Sequence, residues 1–268
     1  MRMLTAVAAL VALLFGMPHA FAQEDPVPSS CVAMANALPA ATYIGFAPTG
    51  ATSGGEVRFT YAGHSTYIIE TPAGVRIATD FSGVYGSDPL PRVVTMNKAH
   101  RTHYTDFVDP GIEYVLRGWN PDGGPAKHRL VVDDVYIRNV PTDIRRFDQM
   151  EKDGNSIFIF EVAGLCIGHL GHLHHDLEDA HYAAIGRLDV VMVPVDGGMT
   201  QSLANMREIT RRLYSSVVLP MHRHSTPLEE FTLGMGEGFA IDFRESRSFS
   251  LSLATLPDRP TIIVLDGV

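Results

Sequence analysis

The chain has 268 residues, of which 46% are hydrophobic and 19% are charged. This composition excludes a fibre or a disordered tail and indicates a folded protein of one large domain or at most two. With 21 Lys and Arg against 30 Asp and Glu, the net charge of −9 argues against a nucleic-acid surface, which needs concentrated positive charge. Histidine is unusually frequent, with 12 copies against one Trp and two Cys, and eight of the 12 lie in three short stretches.

The first 22 residues have the pattern of a secretory signal peptide. Arg2 gives a positive start, residues 6–15 form an apolar run of ten, and Ala20-Phe21-Ala22 fits a small-x-small cleavage site. Ten apolar residues are too few to span a bilayer, which needs about 20. We therefore expect a signal peptide over residues 1–22, with a buried N-terminal helix as the alternative. The mature protein is expected to be periplasmic or secreted, without a membrane anchor.

The two cysteines leave two alternatives open. Cys31 lies near the expected new N-terminus, and Cys166 lies in an apolar, strand-like stretch. An oxidising compartment allows the two to pair and close a long loop. Otherwise Cys166 is a small buried apolar residue and Cys31 is a free thiol in a flexible arm. Neither belongs to a C-x-x-C metal motif.

The predicted elements follow an N-terminal arm over residues 23–55, which are rich in Pro, Ser, Ala and Gly. Helical spacing predicts helices around residues 177–185 and over 203–213, the second with Thr200 as its N-cap. The sequence Thr71-Pro72-Ala73-Gly74 predicts a hairpin turn. Apolar runs predict strands over residues 57–61, 66–70, 75–79, 92–96, 130–132, 135–137, 156–162, 165–167, 190–195, 217–220 and 261–265. Strands dominate early and alternate with helices later, which predicts one α/β domain over residues 56–268.

The clustered histidines follow predicted strands. His100 and His103 come after the strand that ends at residue 96, four more lie between residues 169 and 175, and His222 follows the strand that ends at residue 220. Folds of the α/β class build their sites at strand ends. A single histidine is more often a packing or surface residue, but imidazoles from several strand ends are a usual way to hold a divalent metal. Three clusters in this position favour a metal site.

Five stretches of the chain have the pattern of known strand and ligand motifs. They are Gly63-His64-Ser65-Thr66-Tyr67-Ile68-Ile69-Glu70, Gly74-Val75-Arg76-Ile77-Ala78-Thr79-Asp80, Asn155-Ser156-Ile157-Phe158, His169-Leu170-Gly171-His172-Leu173 and Met221-His222. The first two resemble the opening strands of the metallo-β-lactamase superfamily, and the others resemble its later strands and its last ligand position. The branch with the ascorbate-phosphate lactonase and the N-acyl-phosphatidylethanolamine phospholipase D is the most similar in these stretches. The resemblance covers residues 57–225. It implies an α/β fold, the four-layer αββα sandwich, with the metal site along one edge of the two sheets.

The resemblance also implies a ligand set. The superfamily's H-x-H-x-D-H motif falls on Lys98-Ala99-His100-Arg101-Thr102-His103, so Lys98 stands where the first histidine is expected and Thr102 where the aspartate is expected. The implied metal ligands are His100, His103, His172 (at the place of the bridging aspartate), His175 close behind it, and His222. His64 and Asp80 are expected to lie next to the ligands without binding the metal. Asp143 is a possible replacement for a further ligand histidine, although its alignment with that position is loose.

Ligand number decides the expected metal content. Three or four imidazoles suffice for one tetrahedral or five-coordinate ion with an open position for water, whereas a second ion would lack its anionic bridge. We therefore expect one Zn²⁺, with Mn²⁺ or Fe²⁺ fitting less well because carboxylate ligands are scarce.

Two further residues are candidate catalytic groups. Lys98 could hold a substrate carboxylate or phosphate or stabilise a developing oxyanion. Asp106 could orient an imidazole or act as a base. The alternatives are that Lys98 points to solvent and that Asp106 belongs to a turn.

The predicted function is an exported, metal-dependent hydrolase of a small ester, lactone, amide or phosphodiester, with a metal-activated water as nucleophile. The alternative is a non-catalytic metal- or ligand-binding protein on the same fold, which the departures at Lys98, Thr102 and His172 support. The expected partner is a small-molecule substrate, and neither its identity nor the oligomeric state is readable from the residues.

Overall fold

A computed structural model describes residues 28–32, 55–146 and 148–268. The predicted signal peptide and most of the predicted arm lie outside the described residues. The strands of the first sheet are β1 (Val57–Gly63), β2 (Thr66–Glu70), β3 (Arg76–Ala78), β4 (Val93–Met96), β5 (Tyr114–Arg117) and β13 (Ser248–Leu251). Their order is β13-β1-β2-β3-β4-β5. Pairing is antiparallel from β13 to β3 and parallel from β3 to β5.

The second sheet has eight strands. They are β6 (Arg129–Val132), β7 (Val135–Arg146), β8 (Gln149–Val162), β9 (Leu165–His169), β10 (Val190–Pro194), β11 (Val217–Met221), β12 (Ala240–Phe243) and β14 (Thr261–Val264). Their order is β12-β14-β11-β10-β9-β8-β7-β6. Pairing is antiparallel from β6 to β9 and parallel from β9 to β12.

The main core lies between the two sheets. Alternate side chains of the first sheet, such as Phe59 and Ile77, pack against Phe158 and Ile167 of the second sheet, and all four are inaccessible to solvent. Alternation along the strands follows from the two-residue period of a β-strand. The second sheet is also buried on its outer face, which explains why its central parallel strands are continuous apolar runs.

Three helices cover that outer face: α1 (Asp179–Ile185), α2 (Leu203–Leu213) and α3 (Leu228–Met235). Their buried side chains, among them Met206 and Phe231, belong to one apolar cluster with Val191 and Val218 of the sheet. On the outer face of the first sheet, Val94 and other side chains are covered by the segments between β3 and β5. The α/β sandwich of the metallo-β-lactamase type predicted above is confirmed. None of the helices in the described ranges is long and apolar enough to cross a membrane.

The N-cap of α2 differs from the prediction. Ser202 caps this helix, since its hydroxyl accepts a hydrogen bond from the Asn205 backbone N–H at 3.2 Å. The hydroxyl of Thr200, the predicted cap, instead donates to the carboxylate of Asp196 at 2.5 Å. Thr200 therefore belongs to the turn after β10.

The two cysteines are joined by a disulfide, so of the two alternatives the structure has the paired one. The bond ties the short N-terminal segment to β9. Beside it the carboxylate of Glu161 accepts hydrogen bonds from the hydroxyls of Ser29 and Ser30 and from Arg138. The N-terminal segment is thus fixed against the outer face of the second sheet by one covalent bond and by hydrogen bonds to Glu161.

Candidate metal centre

The candidate site lies where several strands end at one edge of the sandwich. His64 is in the turn between β1 and β2, His100 and His103 follow β4, His172 follows β9, and His222 follows β11 directly. The backbone N–H of His222 donates to the carbonyl of His64 at 2.8 Å, which joins the two sheets at this edge. Strand ends of two sheets therefore bring together residues that are up to 158 positions apart in the chain (222 − 64).

Four of the predicted ligands form one group. The candidate ligand atoms of His100, His103, His172 and His222 all lie within 4.8 Å of one another. Ring centroids of His103 and His172 are 4.5 Å apart, and those of His172 and His222 are 4.8 Å apart. His103, His172 and His222 are buried, whereas His100 is exposed. The group therefore meets solvent on the His100 side.

Two nitrogens of this group have no hydrogen-bond partner. The Nε2 atoms of His172 and His222 are both buried and unpaired. A buried polar atom without a partner costs about 1–3 kcal/mol, so such atoms are uncommon in folded proteins. A metal ion bound by both lone pairs removes that cost. The residues present therefore fit the metal that the fold family implies.

Two buried carboxylates set the tautomers of the imidazoles. Nδ1 of His103 lies 2.5 Å from Oδ2 of Asp80, and Nδ1 of His222 lies 2.8 Å from Oδ2 of Asp196. Since an ionised carboxylate only accepts hydrogen bonds, each Nδ1 carries the hydrogen and each Nε2 carries a lone pair. The lone pairs are thereby available to a metal, as in carboxylate–histidine–zinc arrangements.

Both carboxylates are held by their own hydrogen bonds. The side-chain amide of Asn97 donates to Oδ1 of Asp80 at 3.1 Å. Asp196 accepts from the backbone N–H groups of Gly198, Met199 and Thr200, at 2.6–2.9 Å. Burial alone would raise the pKa of Asp196, but hydrogen bonds from His222 and Thr200 outweigh it and the pKa is lowered. Burial raises the pKa of Asp80.

His100, His103 and His172 are held neutral. Burial is the largest cause, and it lowers the pKa of His103, His172 and His100 below the usual value. Burial lowers the pKa of His64 to about 4, with repulsion from His222 as the next cause. Neutral imidazole is the form that binds a metal, so the site is competent at neutral pH.

His175 and Asp143 lie together and away from the four-histidine group. Nδ1 of His175 accepts a hydrogen bond from the Asp143 backbone N–H at 3.3 Å, and its ring lies 5.4 Å from that of His181. Oδ1 of Asp143 accepts from the Asp153 backbone N–H at 3.0 Å. His175 is three residues beyond His172, and the turn after β9 directs the two side chains to different surroundings.

The two predicted catalytic residues are placed differently from each other. Lys98 forms an ion pair with Glu151, which also lies 3.4 Å from Arg146, and its side chain is 32% exposed. Asp106 is exposed on the segment that follows His103. Glu151 belongs to the first residues of β8, most of which are polar. No apolar run in the sequence therefore predicted this part of the strand.

The contacts of two supporting residues could not be predicted from the sequence. Oδ1 of Asn155 accepts from the backbone N–H of His172 at 2.8 Å and fixes the turn that carries this histidine. Thr102 places its hydroxyl between His64 and His100. Asn155 and Thr102 lie inside the quoted motifs, so their positions were visible but their contacts were not.

His169 has a structural role. Its Nδ1 accepts from the Gly171 backbone N–H at 3.1 Å and its Nε2 donates to the carbonyl of Ser65 at 2.9 Å, so both ring nitrogens are satisfied. His169 is also the last residue of β9 rather than part of the turn after it.

Comparison with known families identifies the fold. The family described as "Beta-lactamase superfamily domain" matches residues 58–222. The chain belongs to the beta-lactamase superfamily. The matched range contains all five histidines that meet at this edge, together with Asp80 and Asp196. A search of curated proteins finds no match.

Several solved structures are similar to this chain over most of their own length. A protein from Thermotoga maritima, described as a Zn-dependent hydrolase of the metallo-beta-lactamase superfamily, is 25% identical with a TM-score of 0.55, over 78% of this chain and 98% of that one. A metallo hydrolase from the archaeon Ignicoccus hospitalis is 22% identical with a TM-score of 0.50, over 68% of this chain and 91% of that one. The metallo-beta-lactamase fold protein YhfI from Bacillus subtilis is 9% identical with a TM-score of 0.52, over 80% of this chain and 98% of that one.

Proposed function

We propose that the protein is an exported metal-dependent hydrolase with one Zn²⁺ held by His100, His103, His172 and His222. The observation that carries this proposal is the pair of buried, unpaired Nε2 atoms on His172 and His222, within a group whose ligand atoms lie within 4.8 Å of one another. The similar protein from Thermotoga maritima is described as a Zn-dependent hydrolase, which supports the same chemistry here.

The donor set favours zinc and a single ion. All four group members offer imidazole nitrogen, a ligand type that suits Zn²⁺ better than Mg²⁺, Ca²⁺ or Mn²⁺. Within the described residues the group contains no carboxylate. The nearby carboxylates of Asp80 and Asp196 face Nδ1 atoms of the histidines and are therefore not free to bridge two ions.

The chain's own residues prepare the site for hydrolysis. Asp80 and Asp196 hold His103 and His222 in the tautomer that presents Nε2, and burial keeps the His103 imidazole neutral. When bound, Zn²⁺ lowers the pKa of a coordinated water towards about 7 and polarises a carbonyl or phosphoryl oxygen. Exposure of His100 leaves the group accessible to a substrate from one side.

The substrate class that this chemistry serves is a small ester, lactone, amide or phosphodiester. Lys98 lies two residues before His100 and pairs with Glu151, and the proposal assigns its ammonium group to the carboxylate or phosphate of the substrate. Asp106 is accessible and three residues beyond His103, which fits a group that accepts a proton from substrate or water.

Export is part of the proposal. The N-terminal pattern of a signal peptide and the disulfide between Cys31 and Cys166 both suit an oxidising compartment. A cytosolic protein would keep these thiols reduced.

A binding protein on the same fold is the second candidate. The observation that favours it is the ion pair of Lys98 with Glu151, because a lysine occupied in this way leaves fewer free groups for catalysis. In that case the ion is held without turnover.

A hydrolysis screen separates the two candidates. The zinc-loaded protein, the chelator-treated protein and the His172→Ala variant are assayed on ester, lactone, amide and phosphodiester substrates, with His224→Ala, an exposed histidine, as the matched control. Activity that needs zinc, is lost in His172→Ala and persists in His224→Ala supports the hydrolase. Zinc binding without turnover supports the binding protein, and activity that survives chelation and His172→Ala contradicts the metal mechanism.

A further inference from the structure

The turn between β1 and β2 brings a fifth imidazole to the four-histidine group. Nε2 of His64 lies 3.3 Å from Nε2 of His103. The ring of His64 is centred 4.4 Å from that of His222 and 5.0 Å from that of His103. These separations are as short as those within the group itself.

The first histidine of the superfamily motif is missing from this chain. Lys98 stands in its place, and its ammonium group is turned to Glu151. A protonated amine has no lone pair and cannot bind a metal. The position that normally supplies the first imidazole therefore supplies no ligand here.

The Nε2 atoms of His64 and His103 approach each other. Because Nδ1 of His103 donates to Asp80, its Nε2 carries a lone pair. Two nitrogens bound to one five-coordinate ion at about 2.0–2.1 Å each, with bond angles of about 90–120°, are separated by about 2.9–3.6 Å. The observed 3.3 Å between the Nε2 atoms matches that separation.

The backbone of His64 is held in an unusual conformation. Its φ of +54° is in the left-handed region, which costs a residue with a side chain about 1 kcal/mol or more. The carbonyl of His64 accepts hydrogen bonds from the His222 N–H at 2.8 Å and from the Tyr61 hydroxyl at 3.1 Å. These bonds fix the turn so that the imidazole points to His103 and His222.

We propose that His64 is a metal ligand that replaces the missing first histidine of the motif, an inference that rests on the proposed metal site. His64 comes from the other sheet than His172 and His222, so the ion would join the two halves of the sandwich. The hydroxyl of Thr102 lies 2.8 Å from Nδ1 of His100 and 2.9 Å from Nε2 of His64, so binding of a metal by His64 replaces the contact with Thr102 and leaves the hydroxyl to His100. It accepts from His100 Nδ1 when that ring binds metal through Nε2.

The competing role for His64 is that of a positioning residue, bonded to Thr102 and not to the metal. Two isosteric variants separate the roles. His64→Gln removes the imidazole. His64→Glu has nearly the same shape as His64→Gln and needs the same backbone conformation, but its carboxylate supplies an atom that can bind the metal. Thr102→Val removes only the hydroxyl, and His224→Gln is the matched control because His224 also has a positive φ, +53°.

The test measures Zn²⁺ affinity by chelator competition and the visible absorption of bound Co²⁺. We expect His64→Gln to lose more than the roughly 10–100-fold in affinity that is typical of losing an outer partner, and to change the Co²⁺ spectrum. His64→Glu should recover most of the affinity, and His224→Gln should keep the wild-type spectrum and affinity. Thr102→Val removes only a partner outside the ligand set and should lose no more than about 10–100-fold in affinity.

Two results would overturn the inference, and only one of them would also contradict the proposed function. If the wild type binds Zn²⁺ and Co²⁺ but His64→Gln keeps the wild-type spectrum and loses no more than about 100-fold in affinity, His64 is not a ligand and the proposed function stands. If the folded wild type binds neither ion, both proposals fail. Circular dichroism of each variant confirms that it is folded.

Discussion

Nδ1 of His103 and Oδ2 of Asp80 lie 2.5 Å apart, and both side chains are inaccessible to solvent. The carboxylate thereby sets the tautomer of an imidazole that comes from a different strand end, since Asp80 follows β3 and His103 follows β4. The same relationship recurs between Asp196 and His222 after β10 and β11. Parallel neighbouring strands thus supply a ligand and its partner at the same edge.

The first prediction concerns these partners. Asp80→Asn and Asp196→Asn each lower Zn²⁺ affinity by about 10–100-fold, because the amide no longer favours the tautomer that presents Nε2. Chelator competition measures the loss. Asp189→Asn is the matched control: Asp189 is equally buried but accepts from the Cys166 backbone N–H. Equal affinities for the wild type and both site variants would refute the role of the carboxylates.

The second prediction concerns how the free energy of unfolding depends on pH after a chelator has removed any metal from the protein. Burial lowers the pKa of His64 and His174 to about 4 in the folded protein, against 6.5 for an ordinary histidine. Between these values the unfolded chain binds more protons, so stability falls as the pH falls. Urea denaturation from about pH 7 to about pH 5 should show a decreasing free energy of unfolding.

A control isolates the contribution of one histidine. His174→Gln removes a group that titrates only in the unfolded chain over this range, so the slope with pH should become smaller. A free energy of unfolding that is constant or rises on acidification would contradict the prediction.

The third prediction concerns the disulfide. Cys31 and Cys166 are separated by 135 positions, and the chain-entropy account gives a bond across such a loop about 4–5 kcal/mol of stabilisation. The double variant Cys31→Ser/Cys166→Ser should lose a free energy of unfolding of this order. Its Zn²⁺ affinity should remain, because the bond lies on the outer face of the second sheet. An unchanged urea midpoint would show that the bond does not stabilise the fold.

The fourth prediction concerns Lys98. Lys98→Met should leave Zn²⁺ affinity unchanged, since the ammonium group is not a ligand. If the lysine contacts the anionic group of a substrate, kcat/KM of the variant falls by about tenfold or more for anionic substrates and is unchanged for neutral ones. Steady-state kinetics on one substrate of each kind measures the difference. An equal effect on both would assign Lys98, with Glu151, to the structure of the loop.

Much of the fold follows from local patterns. The strand predicted over residues 66–70 is the observed β2, and Thr71 to Gly74 connect it to antiparallel β3 as predicted. The buried strands gave clear signals because they are continuous apolar runs. The helix over 203–213 gave a clear signal because its apolar residues repeat at helical spacing. Short, half-buried edge strands such as β5 and β12 gave none, since too few of their residues face the core.

Two elements show the limits of apolar periodicity. The prediction ended β7 at Ile137 because Arg138 follows, yet the strand continues to Arg146, with Arg138 buried in an ion pair with Glu161. α3 was missed although Leu228, Phe231 and Met235 make an apolar stripe. Its signal was present, at helical spacing after Pro227.

The candidate site was partly predictable. Strand ends and the motif resemblance pointed to His100, His103, His172 and His222, which the structure brings together. His175 was included because it is close in sequence, and only the three-dimensional turn separates it from His172. The approach of His64 to His103 depends on a left-handed backbone conformation that no local pattern encodes.

The most direct test of the central claim is the metal content of the purified, folded protein, measured by mass spectrometry after equilibration with Zn²⁺ and removal of excess. We expect one tightly held zinc per chain in the wild type and none in His172→Ala or His222→Ala, with His224→Ala like the wild type. A folded wild type that holds no zinc, or one that holds two tightly bound equivalents, would contradict a single all-histidine site.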